Sequence, residues 1–333
     1  LNFSLVNDRL VGQKVQLLQR AGRLHEFLID GGFVKMDGWF LSHDHFVVDY
    51  FMDTIYLLYA LNYSLMIAVP FVLARKIKVW RSANWGLFGV GALSFVLSQV
   101  GHIPFNWLIL QRLAWVPVDN IVAVAIFAGL SAGVFEEGLR YLAYRFFAPD
   151  ARTWGKGLML GAGHGGIEAI LLGVLGGWTV IQLALIRNGF LVDQVPPDVM
   201  PAVQAQITAV FSAAWYDVLL GALERFFALC IHLSLSLLVM QQFVRGQRKW
   251  LIIAILWHAF VDALSVYSVA NWGIYVTEAL VAGTAVISLG IIFWLKTPEL
   301  VEAEPAPLPP VDPAAPLEME IGADSLENSR YTG

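Results

Sequence analysis

The sequence is short of charge. Only 14% of its 333 residues are Asp, Glu, Lys or Arg, against roughly 25% in a soluble globular domain. A wholly disordered chain, which combines high charge with low hydrophobicity, is thereby excluded. Cysteine is almost missing. Cys230 stands alone, so the chain is no small disulfide scaffold, and its composition is not that of a collagen. Several catalytic signatures are missing too. Without HExxH, the usual zincin arrangement is absent. There is no GxSxG, and Cys230 sits in apolar company with no clear base, which disfavours serine or cysteine nucleophiles. With no phosphate loop and no Rossmann fingerprint, nothing points to nucleotides or nucleic acid.

Apolar runs fill the space that charge leaves. Hydrophobic residues make up 58% of the chain, and several segments reach the roughly 20 residues a helix needs to cross a hydrocarbon core. They lie at about 52–74, 85–111, 120–143, 157–186, 251–270 and 273–295, with a longer run at 205–243. Period-2 alternation is weak, so a barrel is disfavoured. The expectation is an all-α, polytopic transmembrane helical bundle of about seven spans, with eight as the alternative. The 205–243 run carries Asp217, Glu224 and Arg225. It reads either as one span near 224–243 preceded by an interfacial or re-entrant helix, or as two short spans. Basic clusters follow the first, third and fifth spans: Arg75, Lys76, Lys78 and Arg81; Arg145, Arg152 and Lys156; Arg245, Arg248 and Lys249. Seven crossings place all three on the cytoplasmic side, with the N-terminus outside and the C-terminus inside.

The ends are different material. Residues 1–50 show no signal-peptide pattern and are expected to form an amphipathic, extracytoplasmic segment, with LVGQKVQLLQRAGRLHEFLI as a short surface helix. Residues 51–296 hold the bundle. Residues 297–333, Pro-rich with eight acidic residues, are expected to be a disordered cytoplasmic tail.

Ionisable groups at membrane depth are costly, about 2.5–3.5 kcal/mol for Arg or Asp at a helix centre. The few present are therefore the best functional clue. Glu136 and Glu137 lie one turn from Arg140, at i,i+4 and i,i+3. One acid can be fixed in an ion pair while the other takes a proton; the plainer reading is a helix end with snorkelling side chains. His164 and Glu168 share a face in GAGHGGIEA, and His258 and Asp262 repeat that spacing in HAFVD. The glycines around His164 permit close helix approach or an unwound turn facing a cavity. Glu224, Arg225 and His232 lie in one wide polar stripe. Packing specificity alone is the plainer reading of these pairs. His102 reads as a locally satisfied histidine, and Asp217 and Glu278 are weaker candidates with no evident partner.

If these helices converge, their cavity suits hydrolysis. It can hold Zn²⁺ with imidazole nitrogen and carboxylate oxygen, the candidate ligands being His164, Glu168, His232 and His258. It can also work without metal, with a glutamate as base and imidazoles at the oxyanion. A proton- or cation-coupled transporter relaying protons along acid–histidine chains is the alternative, and a non-catalytic scaffold the third.

The set FEEGLRY (135–141), GHGGIEA (163–169), ERFFALCIH (224–232) and HAFVD (258–262) resembles the YhfC family of bacterial membrane proteins. That family is regarded as intramembrane metalloproteases, distantly related to the CAAX-prenyl-protease and bacteriocin-processing clan (ABI or CPBP). The resemblance covers about residues 50–295. It implies a bacterial cytoplasmic membrane protein acting on a membrane-bound protein or peptide. It further implies that Glu136 activates water, that Glu137 and Arg140 position it or pair together, and that His164 and His258 are the clan's two histidines. Asp262 stands where better-known members often carry Asn, and an ionised Asp cannot donate to an oxyanion; it could instead orient His258 or bind metal. The arginine falls one residue earlier than in the CAAX-type EExxxR, so this is not a plain CAAX protease. Glu168, Glu224, Arg225 and His232 belong to the YhfC-like branch and suggest a supporting network.

Overall fold

The structure is a computed structural model that describes residues 41–296, with side chains from Thr54 onward. The surface helix expected near residues 10–29 and the Pro-rich tail lie outside the described residues. Eight α-helices follow one another among the described residues. They are α1 (Leu41–Arg81), α2 (Trp85–Trp107), α3 (Ile121–Leu142), α4 (Trp154–Arg187), α5 (Met200–Phe211), α6 (Trp215–Arg245), α7 (Lys249–Trp272) and α8 (Ile274–Trp294). All but the short α5 are long and apolar enough to cross a membrane. Single π-helical turns at Leu108–Arg112 and Ala143–Phe147 extend α2 and α3.

Helix starts follow local chemistry. The Asn84 side chain accepts from the Gly86 N–H, Asn120 from Val122 and Ala123, and Thr153 from Lys156. Each cap satisfies amide donors that the first helical turn leaves free. The 205–243 run resolves into α5, a break at 212–214, and one span that begins at Trp215. The expected start near 224 is therefore nine residues late, and Glu224 and Arg225 lie inside the span. They are tolerated there because Arg225 is paired with carboxylates, as described below.

The central helix is α6, in which every residue from Leu229 to Gln241 is buried. The largest helix pairs are α3 with α7, α1 with α4, and α2 with α4, with α4 on α6 close behind. Backbone proximity makes two of these pairs possible. A Cβ at Gly129 would lie 2.2 Å from the Ala259 carbonyl oxygen of α7, and one at Gly163 only 2.0 Å from the Phe88 carbonyl of α2. Only glycine fits there, as in membrane helix pairs built on small residues. The glycine-rich stretch of α4 is thus used for packing, and α4 stays helical through it without an unwound turn. An apolar core of Ala74, Ile77, Trp154, Leu158, Leu237, Met240, Trp250, Ile292 and their neighbours fills one end of the bundle. The charged residues collect between that core and the other end.

Candidate active site

Adjacent residues on a helix point about 100° apart, and Glu136 and Glu137 meet different neighbours for that reason. The Glu137 Oε2 atom lies 3.0 Å from Arg140 Nη1, both side chains fully buried. Glu137 Oε1 lies 2.8 Å from His258 Nδ1. Glu136 turns toward α2 and α4. The Gln99 amide donates to its Oε1 at 3.0 Å, and its Oε2 lies 3.2 Å from His164 Nε2 and 3.8 Å from His258 Nε2.

Partners dictate where the imidazole protons sit, since each ring nitrogen must match a donor or an acceptor. The Ser94 hydroxyl donates to the Gly91 carbonyl at 2.7 Å, so its oxygen accepts from His164 Nδ1, 2.9 Å away. His164 Nε2 is then a lone pair facing Glu136. Glu137 likewise accepts from His258 Nδ1 and leaves His258 Nε2 facing Glu136 and, at 3.7 Å, Asp262 Oδ2. His232 is the reverse case. Arginine can only donate, and Arg140 Nη2 lies 3.1 Å from His232 Nδ1, so His232 Nε2 carries the proton and donates to Glu168 Oε2 at 2.7 Å. Glu168 Oε1 accepts from Arg225 at 2.7 Å, and Arg225 also pairs with Glu224.

The candidate residues thus form one connected set, Glu224–Arg225–Glu168–His232–Arg140–Glu137–His258, with Glu136 and His164 at its inner edge. Asp262 lies beyond hydrogen-bond reach of His258, and Glu137 is what orients that ring. His102 bonds Ser131 and Asn106, Asp217 accepts from Tyr275, and both stand apart from this set.

A family model described as YhfC intramembrane metalloprotease matches residues 65–302. The chain belongs to this family. The uncharacterized membrane protein YhfC of Bacillus subtilis (strain 168) is 33% identical over 208 residues, covering 60% of this chain and 81% of that protein. No solved structure matches. The YhfC assignment and the seven apolar spans make this a multi-pass protein of the bacterial membrane. The buried Glu–His–His cluster agrees with the family's metalloprotease description.

That cluster consists of Glu136, His164 and His232, whose ligand atoms all lie within 4.8 Å of one another. Its chemistry fits a divalent metal. His164 Nε2 and Glu136 Oε2 are two electron-rich atoms 3.2 Å apart, and they need either a proton or a cation between them. Two histidines and a glutamate also form a common catalytic zinc set. His232 joins as a ligand only by releasing Arg140 or Glu168, since both its nitrogens are engaged. Of the other candidate ligands read from the sequence, Glu168 binds Arg225 and His232, while His258 lies outside the three-residue group but faces Glu136.

Two residues of the site escaped sequence reasoning. Ser94 and Gln99 carry no charge, and their span holds no acid. A signal existed: Gly91, Ser94, Ser98 and His102 recur at helical spacing on α2, and all four are buried. A small-and-polar stripe in an apolar helix marks the face turned to a polar neighbour.

Proposed function

We propose that this protein is an intramembrane peptidase that hydrolyses a peptide bond of a membrane-associated protein or peptide, with Glu136 as the general base. The observation that carries the reading is the convergence of two imidazole Nε2 atoms on one carboxylate oxygen of Glu136, at 3.2 and 3.8 Å. Each imidazole is held from behind by a fixed acceptor.

In this reading Gln99 holds the Glu136 carboxylate in place, and Glu136 takes a proton from water. The hydroxide attacks the peptide carbonyl carbon. The electron pair of the C=O bond moves to oxygen, giving the tetrahedral oxyanion. Collapse of that intermediate breaks the C–N bond, and Glu136 returns its proton to the leaving amine. Glu137 and Arg140 keep His258 in one tautomer, and Ser94 does the same for His164. A divalent cation held by Glu136, His164 and His232 would supply Lewis-acid polarisation of the carbonyl and a more acidic water.

A transporter needs a polar path through both halves of the membrane. Toward the apolar end, no buried carboxylate or histidine lies beyond Arg140 on α3, before His164 on α4, beyond His232 on α6 or before His258 on α7, among the described residues. The polar chain is a dead end, which favours a reaction chamber over a conduit. The test is cleavage of a tagged membrane substrate in proteoliposomes by wild type and by Glu136→Gln, which keeps shape but removes the base. Cleavage is expected to vanish in the variant while its unfolding midpoint stays close to wild type. Unchanged cleavage would overturn the assignment.

A further inference from the structure

Three features of the bundle give the chamber a single direction of approach. The first is a gradient of exposure. Glu137, Arg140 and His164 side chains are fully buried, Glu136 is 9% exposed, Glu168 21%, Asp262 24% and Glu224 38%. Each step moves along the helices in one sense: Glu168 is one turn from His164, Asp262 one turn from His258, and Glu224 about 12 Å from His232 at 1.5 Å per residue. Around these residues the helices are less tightly covered. The α6 residues from Gly221 to Ala228 and the α7 residues from Asp262 to Tyr267 include none that is buried, whereas Leu229 to Gln241 are all buried.

The second feature is the closed opposite end. The apolar core seals it. A lateral recess of about 130 Å³ between α2 and α3 does reach Ser94, but Val90, Leu93, Leu97, Leu139 and other apolar residues line the rest of it. Neither route suits water or a charged group.

Charge is the third feature. The described residues at the sealed end include eleven basic side chains (Arg75, Lys76, Lys78, Arg81, Arg145, Arg152, Lys156, Arg245, Arg248, Lys249 and Lys296) and one acid, Asp150. Among the described side chains, the open end has Arg112 and Arg187 against Asp119, Asp193, Asp198 and Asp217. Basic loops stay in the cytoplasm, so the open end is extracytoplasmic. At its mouth, Glu168 and Glu224 share one cation, Arg225. Among the described residues, the cation facing Asp262 is the distant His258. Glu278 on α8, 93% buried and within electrostatic reach of Glu224 and Arg225, has a carboxyl oxygen with no hydrogen-bond partner. Carboxyl groups outnumber cations here, and among the described residues one buried Glu278 carboxyl oxygen is unpaired.

We propose that the chamber is entered from the extracytoplasmic side through an acidic mouth formed by Glu168, Glu224, Asp262 and Glu278, which takes a cationic group of the substrate. The substrate class is then an extracytoplasmic segment of a membrane-associated polypeptide bearing a Lys, Arg or free amino group near the cleaved bond. The substrate part rests on the hydrolytic reading above. The entrance and its charge do not, and they can be read without turnover.

The experiment uses the full chain with Cys230→Ser and one introduced thiol, Ser265→Cys, on the Asp262 face of α7 one turn further out. Val269→Cys, one turn beyond, is the second variant should the first fail to fold. Two membrane-impermeant methanethiosulfonates are the probes, one bearing trimethylammonium and the other sulfonate, with rates normalised to those for 2-mercaptoethanol. Intact cells are expected to label from outside, the cationic reagent about tenfold faster, at the low end of the focusing effect of a charged cleft. Adding Glu224→Gln or Glu278→Gln is expected to lower that preference by about threefold, the scale of one nearby charge. Labelling only in inverted vesicles, labelling from neither side, or equal rates for the two reagents would each overturn the proposal.

Discussion

Arg140→Met removes the cation at the centre of the site while keeping a flexible side chain of similar length. Arg140 is fully buried and holds two groups at once, Glu137 Oε2 at 3.0 Å and His232 Nδ1 at 3.1 Å. After the change Glu137 is a buried carboxylate with only the His258 ring to face, and His232 Nδ1 has no donor. Removing one member of a buried ion pair costs about 3–5 kcal/mol. A lost hydrogen bond from a charged donor costs about 1.5–3 kcal/mol. The two losses share one guanidinium and are not additive, so the expected destabilisation is about 4–5 kcal/mol, near the top of the first range. Denaturant unfolding in detergent micelles, followed through the fluorescence of the chain's 12 tryptophans, measures it. The decisive comparison is the double variant Glu137→Gln with Arg140→Met. It removes both charges, and the Gln carbonyl can still accept from His258 Nδ1, so at least half of the lost stability should return. A double variant as unstable as Arg140→Met would show that the uncompensated Glu137 carboxylate is not the source of the loss.

Ser94→Ala should lower cleavage or metal affinity about 10- to 100-fold, as losses of such orienting partners do, while the unfolding midpoint moves little; Ser94→Thr, which keeps the hydroxyl, should restore most of it. Gly165→Ala would place a Cβ 2.8 Å from the Cβ and Cδ2 atoms of His232, and overpacking of this kind costs about 1–3 kcal/mol. Gly283→Ala, whose Cβ would meet nothing within 4 Å, should leave the midpoint unchanged or raise it, because alanine is the better helix former. After stripping with a chelator, calorimetric titration with Zn²⁺ is expected to show one site per chain that is lost in the Glu136→Ala, His164→Ala double variant. Absence of binding to the wild-type chain would refute the metal reading of this cluster.

The spans were legible because a hydrocarbon core imposes a length and a composition that few other environments demand. The start of α6 was not. Glu224 and Arg225 look like an interface in one dimension, and what lets them lie inside the span is Glu168, 57 residues earlier on α4. His258 shows the same limit. Spacing favours Asp262 one turn away as its orienting partner, yet the Nδ1 proton goes to Glu137, 121 residues distant. Tertiary packing overrode the partner that spacing favours. The glycines around His164 were legible as a requirement for close approach, but not as to what approaches; α2 and α6 do, and the helix has no reason to unwind. Ser94 and Gln99 were hidden because neutral hydrogen-bonding residues cost little in a helix and raise no alarm in a scan for charge.

Two adjacent glutamates in an apolar helix would be a poor design if both had the same surroundings, since like charges in a low dielectric oppose each other. The rotation between them resolves this. Glu137 meets Arg140 on its own helix and the His258 N–H, so its negative charge is matched inside the bundle and its position is fixed. Glu136 meets a neutral amide donor from Gln99 and two imidazole Nε2 atoms, a setting that leaves room for a proton or a cation on its Oε2. The first arrangement stabilises a charge that stays in place. The second is built for a charge that comes and goes, and a base in a hydrolytic cycle needs that. Arg225 repeats the logic one layer out: by holding Glu168 it fixes His232, and through His232 the guanidinium of Arg140. The ion pairs therefore act in series from the mouth inward, and each member keeps its neighbour's orientation so that Glu136 alone is left free to change its protonation.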